Sequence, residues 1–155
     1  MPRVQKSSTV TVVVDAAVAD VWRVISDVRR TGEWSHECRA GEWLGGADAA
    51  AGVRFRGRNR SRWVRWTRTC EIVAVDAPCE LVWRTVPTRL YPDSTEWRIR
   101  LAPEGRGTRI TQSFLQVRTP GLLDPVYALV IPDHRDRDAR LAGDLARIGV
   151  VAAGG

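Results

Sequence analysis

The residues of this chain best suited to acid–base chemistry are its two histidines, because imidazole gains and loses protons near neutral pH. His134 lies seven residues before Leu141, the start of an apolar stripe, and Asp138 follows His134 by four residues. In a helix this spacing places a carboxylate beside an imidazole and can orient it as a general base. The alternative is an exposed ion pair in a charge-dense helix start. His36, in a loop, is expected to be a surface or capping residue.

Two glutamines indicate a second kind of site, because a buried amide must find hydrogen-bond partners. Gln112 and Gln116 fall on the same face of an alternating strand as Ile110 and Phe114. A purely structural core would place apolar groups at these positions. The partners of the amides are a ligand, water or the last helix, and the sequence leaves these three options open.

Large aromatic side chains occupy further inward positions of the predicted strands. They are Trp66, Trp83, Trp97 and Phe114. Such rings either fill a core or form the walls of an apolar cavity, where they bury much ligand surface. Tyr127 lies in an apolar segment near the expected cavity, so its hydroxyl either holds a ligand carbonyl or is solvated while the ring packs.

These candidates need a sheet and helices to bring them together. Residues 9–14 are β-branched and favour a strand. Apolar residues then recur at helical spacing over residues 18–28, and a short helical turn is expected at residues 33–37. From residue 38 to residue 117 apolar and polar side chains alternate with period two, which predicts about six further strands.

The connections between these strands are short, so the sheet is predicted to be antiparallel. A sheet with one apolar face must bury that face against another element. The tail supplies a short apolar helix over residues 122–131, an interruption at Pro132, and a last helix with the stripe Leu141, Leu145 and Ile148. The pattern therefore predicts an α+β fold.

Size and composition fit one intracellular domain. The chain has 155 residues, has no run of roughly 18–20 apolar residues and begins without a secretory signal, which predicts a cytoplasmic protein. The odd count of three cysteines, Cys38, Cys70 and Cys79, argues against a disulfide framework, and none of them forms a C-x-x-C pair. Cys70 is expected to be a small buried residue. Neither a metal nor another cofactor is predicted.

The chain carries a net charge of +6, and of its 24 basic residues only Lys6 is a lysine. This bias is typical of a GC-rich genome. Nucleic acid is a disfavoured partner, because the arginines are spread along the strands instead of forming a run. Several share the outward sheet face with Glu71 and Glu96, either as cross-strand ion pairs or as an anion-binding surface: Arg54, Arg56, Arg58, Arg65, Arg98, Arg100 and Arg109.

The order of these elements resembles the SRPBCC, or START-like, superfamily, and within it the bacterial polyketide cyclase/dehydrase-like branch. The resemblance rests on residues 17–27, 34, 71–83 and 141–148. It covers residues 8–150 and implies a single helix-grip domain, in which a curved antiparallel sheet of about seven strands wraps around a long C-terminal helix. Residues 1–7 and 151–155 are then expected to be flexible termini.

The resemblance also implies a cavity between the sheet and the last helix, which relatives use for lipids, polyketides, hormones or aromatic metabolites. Three hypotheses follow. The protein binds a small hydrophobic molecule oriented by Gln112, Gln116 or Tyr127; it is a polyketide cyclase or dehydratase with His134 as its base; or it is an interaction module that uses the arginine-rich face. The ligand, the reaction and the oligomeric state, a homodimer included, stay open.

Overall fold

A computed structural model describes residues 2–46 and 48–154. Its sheet has seven antiparallel strands in the order β1-β7-β6-β5-β4-β3-β2, so only the β1–β7 pair is not sequential. The prediction of about seven antiparallel strands is confirmed. The strands are β1 (Ser7–Val14), β2 (Cys38–Leu44), β3 (Arg54–Ser61), β4 (Val64–Asp76), β5 (Glu80–Thr85), β6 (Ser94–Glu104) and β7 (Gly107–Arg118).

Within residues 2–46 and 48–154, three α-helices cover the concave side of the sheet: α1 (Val18–Ile25), α2 (Asp124–Val130) and α3 (Asp138–Ala153). Short 3-10 segments span Val28–Glu33, Gly121–Leu123 and Pro132–Arg135. The helical spacing assumed for His134 and Asp138 was wrong, because His134 belongs to the last of these 3-10 segments and α3 begins at Asp138.

The first helix is also shorter than predicted. It ends at Ile25 instead of residue 28, and the following helical turn is the 3-10 segment Val28–Glu33 instead of residues 33–37. Asp27 starts that segment by accepting a hydrogen bond from the Arg29 backbone N–H. Gly32 lies inside this segment, and only glycine fits there, because a Cβ atom would stand 2.2 Å from the Arg39 carbonyl oxygen.

The sheet curves around the helices at three irregularities in strand pairing. These shifts of register lie between Cys38 and Ala40, between Ile72 and Ala74, and between Ser94 and Thr95. A bulge bends its strand and increases the local twist. The curvature leaves the concave face deep enough to hold both a packed core and a cavity.

One end of the concave face, which we term the closed end, is filled by aliphatic side chains. Val14 of β1, Val21 of α1, Ile110 of β7 and Leu145 and Ile148 of α3 are all buried in one cluster. As predicted, the stripe of the last helix is buried. α3 approaches β1 so closely at Gly149 that a Cβ atom there would lie 2.5 Å from the Val14 Cβ.

The ends of the described chain contact the rest of the fold. β1 begins at Ser7 and α3 ends at Ala153, beyond the predicted bounds 8–150 on both sides. Val4 is buried, and the Gln5 backbone N–H donates to the His134 carbonyl at 2.8 Å. Among the described residues, no helix has the length and apolarity required to cross a membrane.

Candidate functional site

At the other end of the concave face, which we term the cavity end, the structure encloses a cavity of about 370 Å³. Its floor is the inner face of β3 to β7. Its roof is formed by the 3-10 segment Val28–Glu33 with the loop after it, and by α2 with the segment that leads into α3. All the candidate residues named from the sequence line it: Trp66, Trp83, Trp97, Gln112, Phe114, Gln116, Tyr127 and His134.

Three of these aromatic rings form a continuous wall. Trp83, Trp97 and Phe114 lie directly opposite one another on β5, β6 and β7. The Trp83 and Trp97 rings are stacked with centroids 6.2 Å apart, and the Trp97 and Phe114 centroids are 5.0 Å apart. Antiparallel pairing brings directly opposite side chains together, so the register of the three strands builds the wall.

The two glutamines flank this wall on β7. Gln112 and Gln116 each lie one inward position away from Phe114, or about 7 Å along the strand. Gln112 is only 3% exposed, and the Oε1 atoms of both side chains are buried without a hydrogen-bond partner among the described residues. Both side chains line the cavity, so each brings to it an amide whose acceptor oxygen has no partner among the described residues.

His134 is paired with a different carboxylate from the one predicted. Its Nε2 lies 2.5 Å from Glu37 Oε1, whereas Asp138 accepts hydrogen bonds from Gln5 Nε2 and Ser8 Oγ. The predicted His134–Asp138 pair was wrong because it required one continuous helix. Asp136 is instead extended (φ −147°, ψ 112°) and separates the 3-10 segment from α3.

The Glu37–His134 pair has a defined protonation state. Burial disfavours ionisation of Glu37, but the charge of His134, its hydrogen bond and the charge of Arg137 together lower the Glu37 pKa to about 2. Burial first, and then the positive charge of Arg137, lower the His134 pKa. Near neutral pH the pair is a carboxylate and a neutral imidazole. Because a carboxylate only accepts, Nε2 carries the ring proton and Nδ1 keeps a lone pair.

A second histidine–carboxylate contact holds Glu37 in place. His36 Nδ1 lies 2.7 Å from Asp144 Oδ2, and the His36 backbone N–H donates to Asp144 Oδ1 at 2.9 Å. Asp144 is a buried residue of α3 and also pairs with Arg147, which donates to the Trp34 carbonyl. This network ties the loop after the 3-10 segment Val28–Glu33 to α3, so His36 has a positioning role instead of the predicted surface one.

Arg137 is the most unusual charged group of the cavity. Its guanidinium carbon lies 5.5 Å from the Trp97 ring centroid and 5.3 Å from that of Phe114, within cation–π range. Among the described residues no carboxylate oxygen lies within 4 Å of the guanidinium, and its Nε is buried without an acceptor. A cation therefore stands over the aromatic wall with unused donors.

Arg68 also points inward, but its guanidinium is paired. Nη1 lies 3.1 Å from both carboxylate oxygens of Asp93, and Nη2 donates to the Asp93 carbonyl at 2.9 Å. The same guanidinium stacks over the Tyr91 ring at 5.2 Å. Tyr127 of α2 donates from its hydroxyl to the Leu90 carbonyl at 3.3 Å. These contacts hold the loop before β6 against the sheet and α2, and form one rim of the cavity.

Comparison with known proteins places this fold in a family. Residues 5–142 match the family described as polyketide cyclase / dehydrase and lipid transport. The chain belongs to this family. The predicted resemblance to the SRPBCC superfamily is thereby confirmed, and so is the helix-grip fold. No protein with a curated description matches the sequence.

Solved structures of the same fold come from bacteria and plants. TTHA0849 from Thermus thermophilus has a TM-score of 0.69 at 14% identity, over 96% of this chain and 97% of that chain. Ms6760 from Mycobacterium smegmatis has a TM-score of 0.67 at 17% identity, over 94% of this chain and 89% of that chain. Ginseng major latex-like protein 151 from Panax ginseng has a TM-score of 0.62 at 14% identity, over 88% of this chain and 96% of that chain. Identities this low show the fold alone.

In this member of the polyketide cyclase / dehydrase family, sequence reasoning missed several polar residues of the cavity, among them Glu37, Arg68 and Arg137. Arg68 had a usable signal, because it lies two residues from both Trp66 and Cys70 and so shares their inward face. Glu37 and Arg137 had none, since each meets its partners through loops. Cys70 is buried as expected, and burial raises its thiol pKa to about 12.

The outward arginines of the sheet are largely paired with carboxylates on neighbouring strands. Nitrogen–oxygen distances are 3.2 Å for Arg54–Glu71, 3.2 Å for Arg56–Glu42 and 2.7 Å for Arg100–Glu80. This pairing favours the structural interpretation of the arginine-rich face over an anion-binding surface. Among the described residues, no group of three or more histidine, cysteine or acidic side chains is arranged to hold a metal ion.

Proposed function

We propose that this protein binds a small, largely apolar molecule in the cavity, with an aromatic metabolite or polyketide favoured over a two-chain lipid. The wall of Trp83, Trp97 and Phe114 carries the proposal, because stacked rings offer a rigid apolar surface to a planar ligand. Ligand cavities span about 300–1,000 Å³. At about 370 Å³ this one lies near the lower end, which suits a compact ring system or a single acyl chain.

Titration of the intrinsic tryptophan fluorescence tests this proposal, with naphthalene and anthracene derivatives and single-chain lipids as probes. We expect a saturable change with at least one ring compound, and Trp97→Leu should weaken its binding about tenfold or more. Trp63→Leu is the matched control, because Trp63 is 93% exposed and outside the cavity. Equal binding by both variants, or no response to any probe, would refute the proposal.

A second candidate function is a cyclase or dehydratase activity on such a ligand. The Glu37–His134 pair favours it, because a neutral imidazole oriented by a carboxylate is suited to remove a proton from an enolisable carbon. A cavity that folds a chain lowers the barrier further by holding reacting atoms together.

His134→Gln separates this activity from binding. If the imidazole is the base, turnover of a linear polyketide substrate should fall by about 10²–10⁴-fold while affinity for product-like ring compounds changes little. Turnover that persists in a variant with a normal melting temperature removes the role from His134. A cytoplasmic location, a bacterial origin and the absence of nucleic-acid binding stay predictions from the sequence.

A further inference from the structure

The Arg137 guanidinium lacks the hydrogen-bond acceptors that Arg68, the other inward-pointing arginine of the cavity, has. The Arg68 guanidinium is paired with Asp93. Arg137 carries five N–H donors. Among the described residues it has no carboxylate oxygen within 4 Å, and its Nε is sealed from solvent without a partner. Leaving donors of a charged group unsatisfied in a buried site is unfavourable, so a ligand acceptor that reaches the guanidinium would be favoured there.

Glu37, which lies in the same cavity, does not fill this gap. Glu37 is close enough to offset part of the Arg137 charge, but its Oε1 is held by His134 Nε2 at 2.5 Å. The guanidinium is also held in place by the Trp97 and Phe114 rings. A guanidinium fixed in this way presents a fork of donors that matches the two oxygens of a carboxylate.

The neighbouring amides of Gln112 and Gln116 would bind hydrogen-bond donors of a ligand, whereas Arg137 would bind acceptors. Gln112 and Gln116 place two unpartnered acceptor oxygens on either side of Phe114, the ring that Arg137 covers. An N–H or O–H donor on a ligand would satisfy one of them. The cavity thus combines a flat apolar wall, a forked cation above it and acceptors beside it.

We propose that the ligand is an aromatic carboxylic acid, whose carboxylate binds the Arg137 guanidinium while its ring lies against Trp97 and Trp83. A hydroxyl on the ring would donate to Gln112 or Gln116. This inference rests on the proposed binding function and narrows it to one chemical class.

The test compares ligands that differ only in the charged group. Wild-type protein is titrated at pH 7.5 with 2-naphthoic acid, its amide 2-naphthamide, and naphthalene. The acid should bind about 10- to 100-fold more tightly than the amide, as expected for a hydrogen-bonded charge pair. If acid and amide bind equally, the carboxylate assignment is wrong and the binding function stands. If no ring compound or lipid binds, the binding function fails and this inference fails with it.

Variants locate the preference at Arg137. Arg137→Met keeps an unbranched apolar stem and removes the cation, so it should abolish the preference for the acid: in this variant the acid should bind no more tightly than the amide. Arg140→Met is the matched control, since Arg140 pairs with Asp133 outside the cavity. A preference that survives in Arg137→Met overturns the assignment. The wild-type ratio of acid to amide affinity needs no variant, so the test holds even if Arg137→Met fails to fold.

Discussion

β7 serves two purposes along its length. At the closed end Thr108 and Ile110 face inward, fully buried, and the Thr108 hydroxyl donates to the Ala16 carbonyl at 2.7 Å. At the cavity end the same face presents Gln112, Phe114 and Gln116, with amide oxygens that have no partner among the described residues. The Thr108 hydroxyl is thus satisfied by a hydrogen bond within the protein, whereas the amide oxygens of Gln112 and Gln116 are not. The difference supports the proposal that the closed end stabilises the fold and the cavity end binds a ligand.

The largest effect on stability is expected at the closed end. Leu145 is 0% exposed at the centre of the aliphatic cluster, so Leu145→Ala should lower the free energy of unfolding by about 3–5 kcal/mol. Leu129→Ala, on the outer side of α2 where Leu129 is 67% exposed, should cost about 0.5 kcal/mol. Urea denaturation measures both, and similar losses would contradict the division into two ends.

An intermediate effect is expected at the Glu37–His134 pair and depends on pH. Glu37 has a folded pKa of about 2 against an ordinary 4.5, so its contribution is complete above pH 4.5 and is lost as the pH falls toward 2. Burial lowers the pKa of His134 in the folded protein below the ordinary 6.5, so the unfolded chain takes up a proton more readily. The free energy of unfolding therefore also decreases as the pH falls below 6.5. Both groups therefore weaken the fold in acid.

Glu37→Gln should remove the first part of this dependence. We expect a loss on the order of 2 kcal/mol near pH 7 and a flatter stability curve between pH 4.5 and pH 2 than that of the wild type. Urea denaturation at a series of pH values measures the curve. Parallel curves for the two proteins would show that the Glu37 carboxylate is not stabilised by its neighbours.

The smallest effect on stability is expected at Gln112, and whether stability rises or falls there distinguishes the cavity end of β7 from its closed end. Gln112→Leu removes a buried acceptor that has no partner among the described residues, so stability should stay within about 1 kcal/mol of the wild type or rise. Thr108→Val, a polar-to-apolar change on the same strand face, should cost about 1–2 kcal/mol, because it leaves the Ala16 carbonyl unsatisfied. Thermal melts compare the two, and a clear loss in Gln112→Leu would assign that amide a structural role.

The fold and the cavity floor could be predicted from the sequence because both follow local rules. Alternation along a strand places Trp66, Trp97 and Gln112 on one face whatever the rest of the chain does. The roof could not be predicted, because Glu37 and His134 meet from segments nearly one hundred residues apart. The error over Asp138 has the same origin, since the spacing rule of a helix was applied across a break in the helix.

The pairing of β1 with β7 has a consequence for how the protein is made. Val14 pairs with Thr108, and Ser7 with Leu115, so the first strand has no neighbour in the sheet until about 90 further residues have been added. At 5–20 residues per second, the ribosome needs roughly 5–20 s for that stretch. Contacts this distant in sequence also slow folding. For most of its synthesis, the nascent chain therefore contains an unpaired strand that is rich in β-branched residues. An unpaired strand can pair with other chains, so the risk of aggregation is highest in this interval.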